Sequence, residues 1–493
     1  MIVNNLEEIK NKKFLAIIIG SGPAGISTAL GLEKKKIECL IIEAGGLNSD
    51  SKNLAYLDGF FVGDSDYTTM QSSRGRQFGG TGNFWGGNCN PFQEEELTNW
   101  PIKKLDLDEY TGGAKKILNL KKNFFLEKFS NNLNLYNLDW SDVKFGDKYF
   151  NYIKKSKYIN LSLNTVYQGS DGHDGQITSI NCFKEKNYKL KSRYFVLSCG
   201  GIENSRLLLW TKKNNPKLFK NALPIGNYYM DHPFHRVGEG LLNYKKLQTY
   251  NKKNNVKKAP LITCDSSYHL SFNQNFVQEK KIMNSGLYIG FSNANRYDSI
   301  FKQVRCMAPN FIKTIYENKT VKDTYKIKVD ALQEQEPIFN RKIVLNKNSD
   351  PLGIALPEVH WWKTESERQS VRTITEDIAK IFLENNIARI GLEEYLFNKD
   401  EYDTRVGYHQ LGGTRMGNNI KDSVVNKDLK VHGISNLFIN GSSVFRTGSY
   451  NHPTYTIVKL ALRLSNSICL RFLCFFNSST FSNVRFHNGI PNR

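Results

Sequence analysis

No stretch of the chain approaches the roughly 18 consecutive apolar residues that a membrane-spanning helix requires, so no transmembrane segment is expected. Residues 1–14 are polar and charged, and the apolar run at 15–19 is too short for the hydrophobic region of a secretory signal. The eight cysteines, at 39, 89, 182, 199, 264, 306, 469 and 474, include no C-x-x-C pair and no Cys/His group at zinc spacing. They read as reduced thiols, no metal site is expected, and the cytoplasm is the default address. Internal repeats and low-complexity tracts are missing too. Acidic residues are in short supply, 47 against 68 basic ones, for a net charge of +21 and a pI near 9.4. That imbalance brings acidic substrates, anionic membranes and nucleic acid into view. Many lysines, however, sit beside asparagines, as in Lys212-Lys213-Asn214-Asn215. A solvated basic surface is therefore expected, with no specific nucleic-acid partner.

What is present suits a multi-module globular protein. Of 493 residues, 40% are hydrophobic and 23% charged, and at ~150 residues per domain the length suggests about three modules. The run 15–19 reads as a buried parallel strand, 26–36 as a helix and 37–43 as a second strand, which together make a βαβ unit. A further buried strand at 194–198 runs into Cys199-Gly200-Gly201 and a helix over 203–210. Residues 107–118 are helix-like. The segment 236–400 carries weaker signals, with strand-like alternation at 342–345 and a helix over 365–385. Strand-turn-helix grammar returns at 436–439 and 441–443, and Pro453 opens an apolar helix to about 468. Residues 469–493, with Phe472-Leu473-Cys474-Phe475-Phe476, break the pattern and read as an atypical tail.

Gly20-Ser21-Gly22-Pro23-Ala24-Gly25 leaves the first strand and opens the first helix, and Glu43 ends the second strand. In that context G-x-G-x-x-G is a dinucleotide fingerprint. Gly20 permits the tight turn, Gly22 lets backbone approach a pyrophosphate at the helix N-terminus, and Gly25 permits close helix–strand packing. Glu43 is placed to accept from ribose hydroxyls, which disfavours a 2′-phosphate. The fingerprint alone does not choose between FAD and NAD.

Downstream come Arg76-Gln77-Phe78-Gly79-Gly80-Thr81-Gly82-Asn83-Phe84-Trp85-Gly86-Gly87, Trp100-Pro101-Ile102, Cys199-Gly200-Gly201-Ile202-Glu203-Asn204-Ser205-Arg206 and Met230-Asp231-His232-Pro233. Later come His409-Gln410-Leu411-Gly412-Gly413-Thr414-Arg415-Met416-Gly417, Gly441-Ser442-Ser443 and Asn451-His452-Pro453-Thr454. In this order the segments closely resemble the glucose-methanol-choline (GMC) family of FAD-dependent oxidoreductases, over roughly half of the chain.

The resemblance implies an α/β fold, α+β overall, in which a Rossmann-like FAD domain is built from discontinuous segments, 1–95, 150–232 and 401–468. A sheet-based substrate domain, 96–149 and 233–400, is inserted between them. It implies noncovalent FAD, an alcohol, polyol or sugar substrate, and hydride transfer to flavin N5. The hydroxyl proton goes to His409, and His452 positions the oxygen; the spacing of the two matches that of the family's two-histidine members. Gly79, Gly80, Asn83, Gly441 and Thr454 are implied near the cofactor, together with the fingerprint residues. His232, His360 and His432 read as structural. Arg206 and Arg415 are either surface charges or partners of phosphate or flavin.

The chemistry of the two histidines agrees independently: loss of a C–H hydride is eased when the O–H proton leaves to a base of near-neutral pKa, and imidazole is such a base. Two departures stand out. Phe84 occupies the position at which several members carry a histidine bonded to the flavin, and a phenyl ring cannot form that bond. Gly413 stands where the family usually has Thr. The electron acceptor, whether oxygen, a quinone or a carrier protein, is left open. Two alternatives carry tests: an FAD-fold enzyme of another reaction type has no use for both histidines, and a basic flavin-bound binding protein without turnover shows steep salt dependence on polyanions.

Overall fold

Near-continuous apolar runs need cover on both faces, and here they form a five-stranded parallel sheet. In this computed structural model, which describes residues 1–9, 11–64, 70–262, 266–295, 320–398 and 405–481, the strand order is Leu437–Ile439, Ser192–Leu197, Phe14–Ile19, Cys39–Ile42, Ile159–Ser162. Ile17 pairs with Leu40 on one side and Phe195 on the other, and every residue of Cys39–Ile42 is buried. The helix Pro23–Lys34 follows the first strand, and the helix Gly201–Asn214 follows Ser192–Leu197. The last helix, Pro453–Phe481, packs on Pro23–Lys34, where Gly31 leaves no room for a Cβ beside Ser465.

This last helix passes well beyond the expected end near 468, because no glycine or proline interrupts residues 469–481. The remainder of the expected tail, 482–493, lies outside the described residues, as do Cys264 and Cys306. Cys39, Cys89, Cys182, Cys199 and Cys469 are free thiols. No helix among the described residues is long and apolar enough to cross a membrane.

A second, antiparallel sheet of seven strands runs in the order Ala388–Leu392, Phe234–Asn243, Thr320–Gln333, Ser285–Asn295, Ser267–Phe272, Leu133–Tyr136, Leu126–Lys128. Its strands alternate between faces, and one face buries Leu287, Ile327 and Val329 with Ile374, Ile378 and Phe382 of the helix Glu365–Glu384. That helix starts in a capping box: the Thr364 hydroxyl accepts from Glu367 N–H, and the Glu367 carboxylate accepts from Thr364 N–H. Glu367 also takes both Nη groups of buried Arg341, at 2.8 and 2.7 Å.

A small third sheet joins Lys342–Ser349, Ala355–Trp361 and Phe60–Gly63. Arg206, on the helix Gly201–Asn214, ties to it through Asp350 at 2.7 Å and the Ala355 carbonyl at 2.7 Å. Fold and topology are those of a mixed α/β protein with a Rossmann-like parallel sheet, as expected.

Candidate active site

Gly20 leaves the first strand with φ +97°, and a Cβ there would stand 2.6 Å from the Ser198 carbonyl oxygen. A Cβ on Gly25 would collide with the Gly20 carbonyl, so both glycines answer to close packing. Gly22 differs, since nothing lies within 4 Å of where its Cβ would be. It is the N-cap of a helix that has no side-chain cap and begins with Pro23, so first-turn N–H groups face open space beside Gly22. Ala24 is buried in that first turn.

Glu43 is buried and clamps the loop. One oxygen accepts from Ser21 N–H at 3.0 Å and Ser21 Oγ at 2.7 Å, and the other accepts from Gly45 N–H at 2.8 Å. Burial pushes its pKa up, and these hydrogen bonds oppose the rise.

The segment 79–83 closes over the fingerprint. Gly79 N–H donates to the Ser21 carbonyl at 3.1 Å, and a Cβ on Gly80 would lie 3.2 Å from Gly22 Cα. Asn83 acts as a strut: its Nδ2 donates to the Phe78 carbonyl at 2.8 Å and its Oδ1 accepts from Gly146 N–H at 2.7 Å. Phe84 is 62% exposed. On the other flank Gly441, φ +119°, follows the strand Leu437–Ile439, and Asn440 Nδ2 reaches Thr28 Oγ1 at 3.1 Å. Thr454 is half-buried in the first turn of the last helix. Fingerprint, Gly79-Gly80 and Gly441 thus gather at the carboxyl end of the parallel strands, where open α/β sheets bind ligands.

The histidines lie against the same edge. Ser442 Oγ donates to the Gln410 carbonyl at 2.6 Å, next to His409. One oxygen of Asp231 accepts the backbone N–H of His232 at 2.6 Å and of His409 at 2.8 Å. His232 Nδ1 stands 2.8 Å from His409 Nδ1, and His232 Nε2 stands 3.1 Å from the Gly448 carbonyl. The rings of His409 and His452 are 5.1 Å apart. His452 donates its N–H to Asn90 Oδ1 at 3.2 Å, its Nε2 lies 3.4 Å from Asn88 Nδ2, and its buried Nδ1 has no partner.

Burial lowers every imidazole pKa here: that of His409 well below the ordinary value, that of His452 to about 3 and that of His232 to about 4. The charge that His232 or His452 would carry lowers the His409 pKa further, and the charge that His232 or His269 would carry lowers the His452 pKa. All three are neutral at pH 7. His409 and His452 are half-buried, whereas His232 is fully enclosed.

An aromatic row continues from His452 across the antiparallel sheet. Tyr136, His269 and Tyr288 are direct cross-strand neighbours. Tyr288 lies 6.1 Å from His452, and Tyr450 lies 5.3 Å from Tyr136. The loop leading to His452 is held by two buried acids. Glu96 accepts from Ser449 Oγ and from Asn451 Nδ2, and Glu334 accepts from Ser449 N–H at 2.9 Å. Burial raises their pKa values to about 8 and about 7.

Sequence reasoning missed Asn88, Asn90, Glu96 and the Tyr136–His269–Tyr288 row, noted Glu334 only as a faint echo of the family without a role, and set His232 aside. The only available signal was adjacency: Asp231-His232 belongs to a quoted segment, while the aromatic row depends on strand register. Arg206 and Arg415 are buried and are not surface charges. Arg206 is buried between Glu203 and Asp350, and Arg415 lies over the Tyr228 ring and donates to Asp422. Gly413 has φ +86° and its missing Cβ would strike Ser205 Oγ, which is the physical reason for its departure from Thr. No metal-binding cluster occurs among the described residues.

A G-x-G-x-x-G loop at the end of a Rossmann-like parallel sheet thus lies beside paired neutral histidines. The family model for GMC oxidoreductase matches residues 342–461, which contain both histidines. The chain is 26% identical over 299 residues to the 2-methyl-1,2-propanediol dehydrogenase of Mycolicibacterium austroafricanum, covering 58% of this chain and 49% of that protein. It is 25% identical over 311 residues to the fructose dehydrogenase large subunit of Gluconobacter japonicus, covering 62% and 52%. The chain thus spans about half the length of these curated relatives. Its fold is similar to that of pyridoxine 4-oxidase from Mesorbium loti, with TM-score 0.60, 13% identity and coverage of 92% of this chain and 99% of that one. It is also similar to Aspergillus oryzae RIB40 formate oxidase, with TM-score 0.52, 15% identity and coverage of 94% and 99%. Residues 342–461 are thus similar to the GMC oxidoreductase family, and the chain as a whole shares its fold with these two solved structures.

Proposed function

We propose that this protein binds FAD noncovalently and oxidises the CH–OH group of a sugar, polyol or other alcohol, with His409 taking the hydroxyl proton. The observation that carries the reading is the pair of neutral imidazoles, His409 and His452, 5.1 Å apart at the ligand-binding edge of the parallel sheet.

The residues present fit the cofactor. The open space over Gly22 and the uncapped helix start suit a pyrophosphate. Gly20, Gly22, Pro23, Ala24 and Gly25 would hold it, together with Gly79 and Gly80. Glu43 accepts three hydrogen bonds within the protein, and a carboxylate has about four acceptor sites, so one remains for a ribose hydroxyl. Asn83, Gly441 and Thr454 would lie along the remaining length. Exposed Phe84 offers no atom for a covalent link, which supports a dissociable cofactor. When bound, FAD supplies the two-electron acceptor for the hydride at N5.

The chain's own residues handle the proton and the oxygen. Neutral His409 accepts the O–H proton as the C–H bond is lost, and the carbinol becomes a carbonyl. Asn88 Nδ2 lies 3.4 Å from His452 Nε2 and helps fix that ring, to which the resemblance gives the role of holding the substrate oxygen. We assign the parallel-sheet segments to the cofactor and the antiparallel sheet, through Tyr136, His269 and Tyr288, to the substrate wall. Oxygen, a quinone or a carrier protein then takes the electrons. The names of the two curated relatives, a diol dehydrogenase and a fructose dehydrogenase subunit, support an alcohol or sugar substrate.

The test is anaerobic mixing of the purified protein with sugars, polyols and simple alcohols while its visible spectrum is followed. Flavin bands that bleach with one of them, and flavin released on acid precipitation, are expected. The His409→Gln variant should retain flavin and lose roughly 10²- to 10⁴-fold in kcat. A colourless protein that takes up no added FAD overturns the reading.

A further inference from the structure

The contact between His232 and His409 constrains where protons sit. Resting on the function proposed above, we propose that His232 is a positioning residue that holds the proton of neutral His409 on Nδ1 and so makes His409 Nε2 the basic nitrogen.

The argument begins at a carbonyl. Gly448 O can only accept, so His232 Nε2, 3.1 Å away, carries the hydrogen. His232 is completely enclosed, and burial depresses its pKa to about 4, so a second ring proton is absent at pH 7. Its Nδ1 is therefore a bare lone pair. His409 Nδ1, 2.8 Å from it, must supply the hydrogen of that bond. A neutral imidazole has one N–H, so His409 Nε2 is left unprotonated, and it is this nitrogen that receives the substrate proton: the O–H bond breaks and an Nε2–H bond forms. In a neutral histidine the tautomer follows from the bond that the other nitrogen makes.

Backbone geometry supports the same pairing, because Asp231 Oδ1 accepts from both His232 N–H and His409 N–H and fixes the two residues against each other. Asp231 is itself anchored, with its N–H donating to Gln335 Oε1 at 2.9 Å, which also accepts from Trp361 Nε1 at 2.7 Å.

The orienting partner is thus an imidazole, where a serine hydrolase triad uses a carboxylate. A carboxylate stabilises the imidazolium that forms and raises its pKa. A neutral imidazole fixes the tautomer without doing so, which agrees with a His409 pKa well below the ordinary value. His409 is accordingly a weak base that stays unprotonated and ready in neutral solution.

The experiment uses the full chain loaded with FAD, labelled with 15N at histidine, without substrate at pH 7.5. Two-bond 15N–1H correlations report which ring nitrogen bears hydrogen, and the signal lost in His409→Gln assigns His409. The expected result is a pyrrole-type Nδ1 and a pyridine-type Nε2 in His409. In His232→Phe, which keeps the ring but removes the acceptor, His409 should become a tautomer mixture. Its kcat should fall at least roughly tenfold, within the ~10⁴ that a wrong tautomer costs in a triad, while KM is unchanged. His232→Asn, which keeps an acceptor in place of Nδ1, should recover part of kcat. A hydrogen on His409 Nε2 in the unsubstituted protein overturns the proposal, whatever the variants do. So does a His232→Phe protein with unchanged tautomer and kcat. Because the tautomer is read without turnover, an Nδ1–H His409 whose replacement leaves alcohol oxidation intact would instead refute the catalytic role of His409.

Discussion

At the scale of single residues, burial withholds charge from the histidine cluster. Burial, and the charge His232 or His452 would carry, hold His409 neutral at pH values where free histidine is half protonated. The role proposed for His409 needs the neutral ring, and its pKa lies below 6.5, so kcat/KM should stay level as pH falls from 8 to 6.5 and decline only in more acid solution. A pH–rate profile checks this, and a decline beginning above pH 7 would contradict it. Gly413 shows the same dependence on local detail. Threonine there would need φ +86° and would meet Ser205 Oγ, so Gly413→Thr should lower stability by about 1–3 kcal/mol, measured by denaturant unfolding. A residue that restores the family's usual pattern is expected to harm this particular chain.

At the scale of elements, one carboxylate does three tasks. Glu367 caps the helix Glu365–Glu384, pairs with fully buried Arg341, and accepts from Glu336 N–H at 2.9 Å. Removing its charge leaves Arg341 uncompensated, so Glu367→Gln should cost about 3–5 kcal/mol, visible as a large fall in Tm. Elements of this kind were legible in part. The strand-helix-strand unit with Gly20, Gly22, Gly25 and Glu43 could be read directly, because apolar runs and glycine turns are local signals. The helix Glu365–Glu384 announced itself by periodicity, although Glu367 gave no hint of Arg341. His409 and His452 were marked by resemblance and glycine-rich settings. The row Tyr136, His269, Tyr288 could not be seen, because it exists only through the register of three strands, the first of them more than a hundred residues from the others. His232 lay in plain view within Met230-Asp231-His232-Pro233, but only the fold brings it to His409.

At the scale of the whole molecule, buried acids and buried imidazoles have opposite effects on stability against pH. Glu96 has a folded-state pKa raised from 4.5 to about 8. Its contribution is therefore full below pH 4.5 and lost as pH rises through about 8, at up to about 1.4 kcal/mol per pH unit. The depressed imidazoles add stability as pH rises toward 6.5. Unfolding free energy should accordingly decline between pH 6.5 and 8, and Glu96→Gln should flatten that decline in denaturation curves at the two pH values. The arrangement of the parallel sheet bears on the protein's birth as well. Its edge strand Leu437–Ile439 pairs with Ser192–Leu197, which borders Phe14–Ile19. A ribosome delivers that edge strand after more than four hundred residues of nascent chain, and long-range pairing of this kind folds slowly. His452 emerges later still and rests on Asn88 and Asn90, made far earlier. Until those segments are made, the Ser192–Leu197 edge lacks its partner on that side, and neither His409 nor His452 can take its place beside the early-made segments.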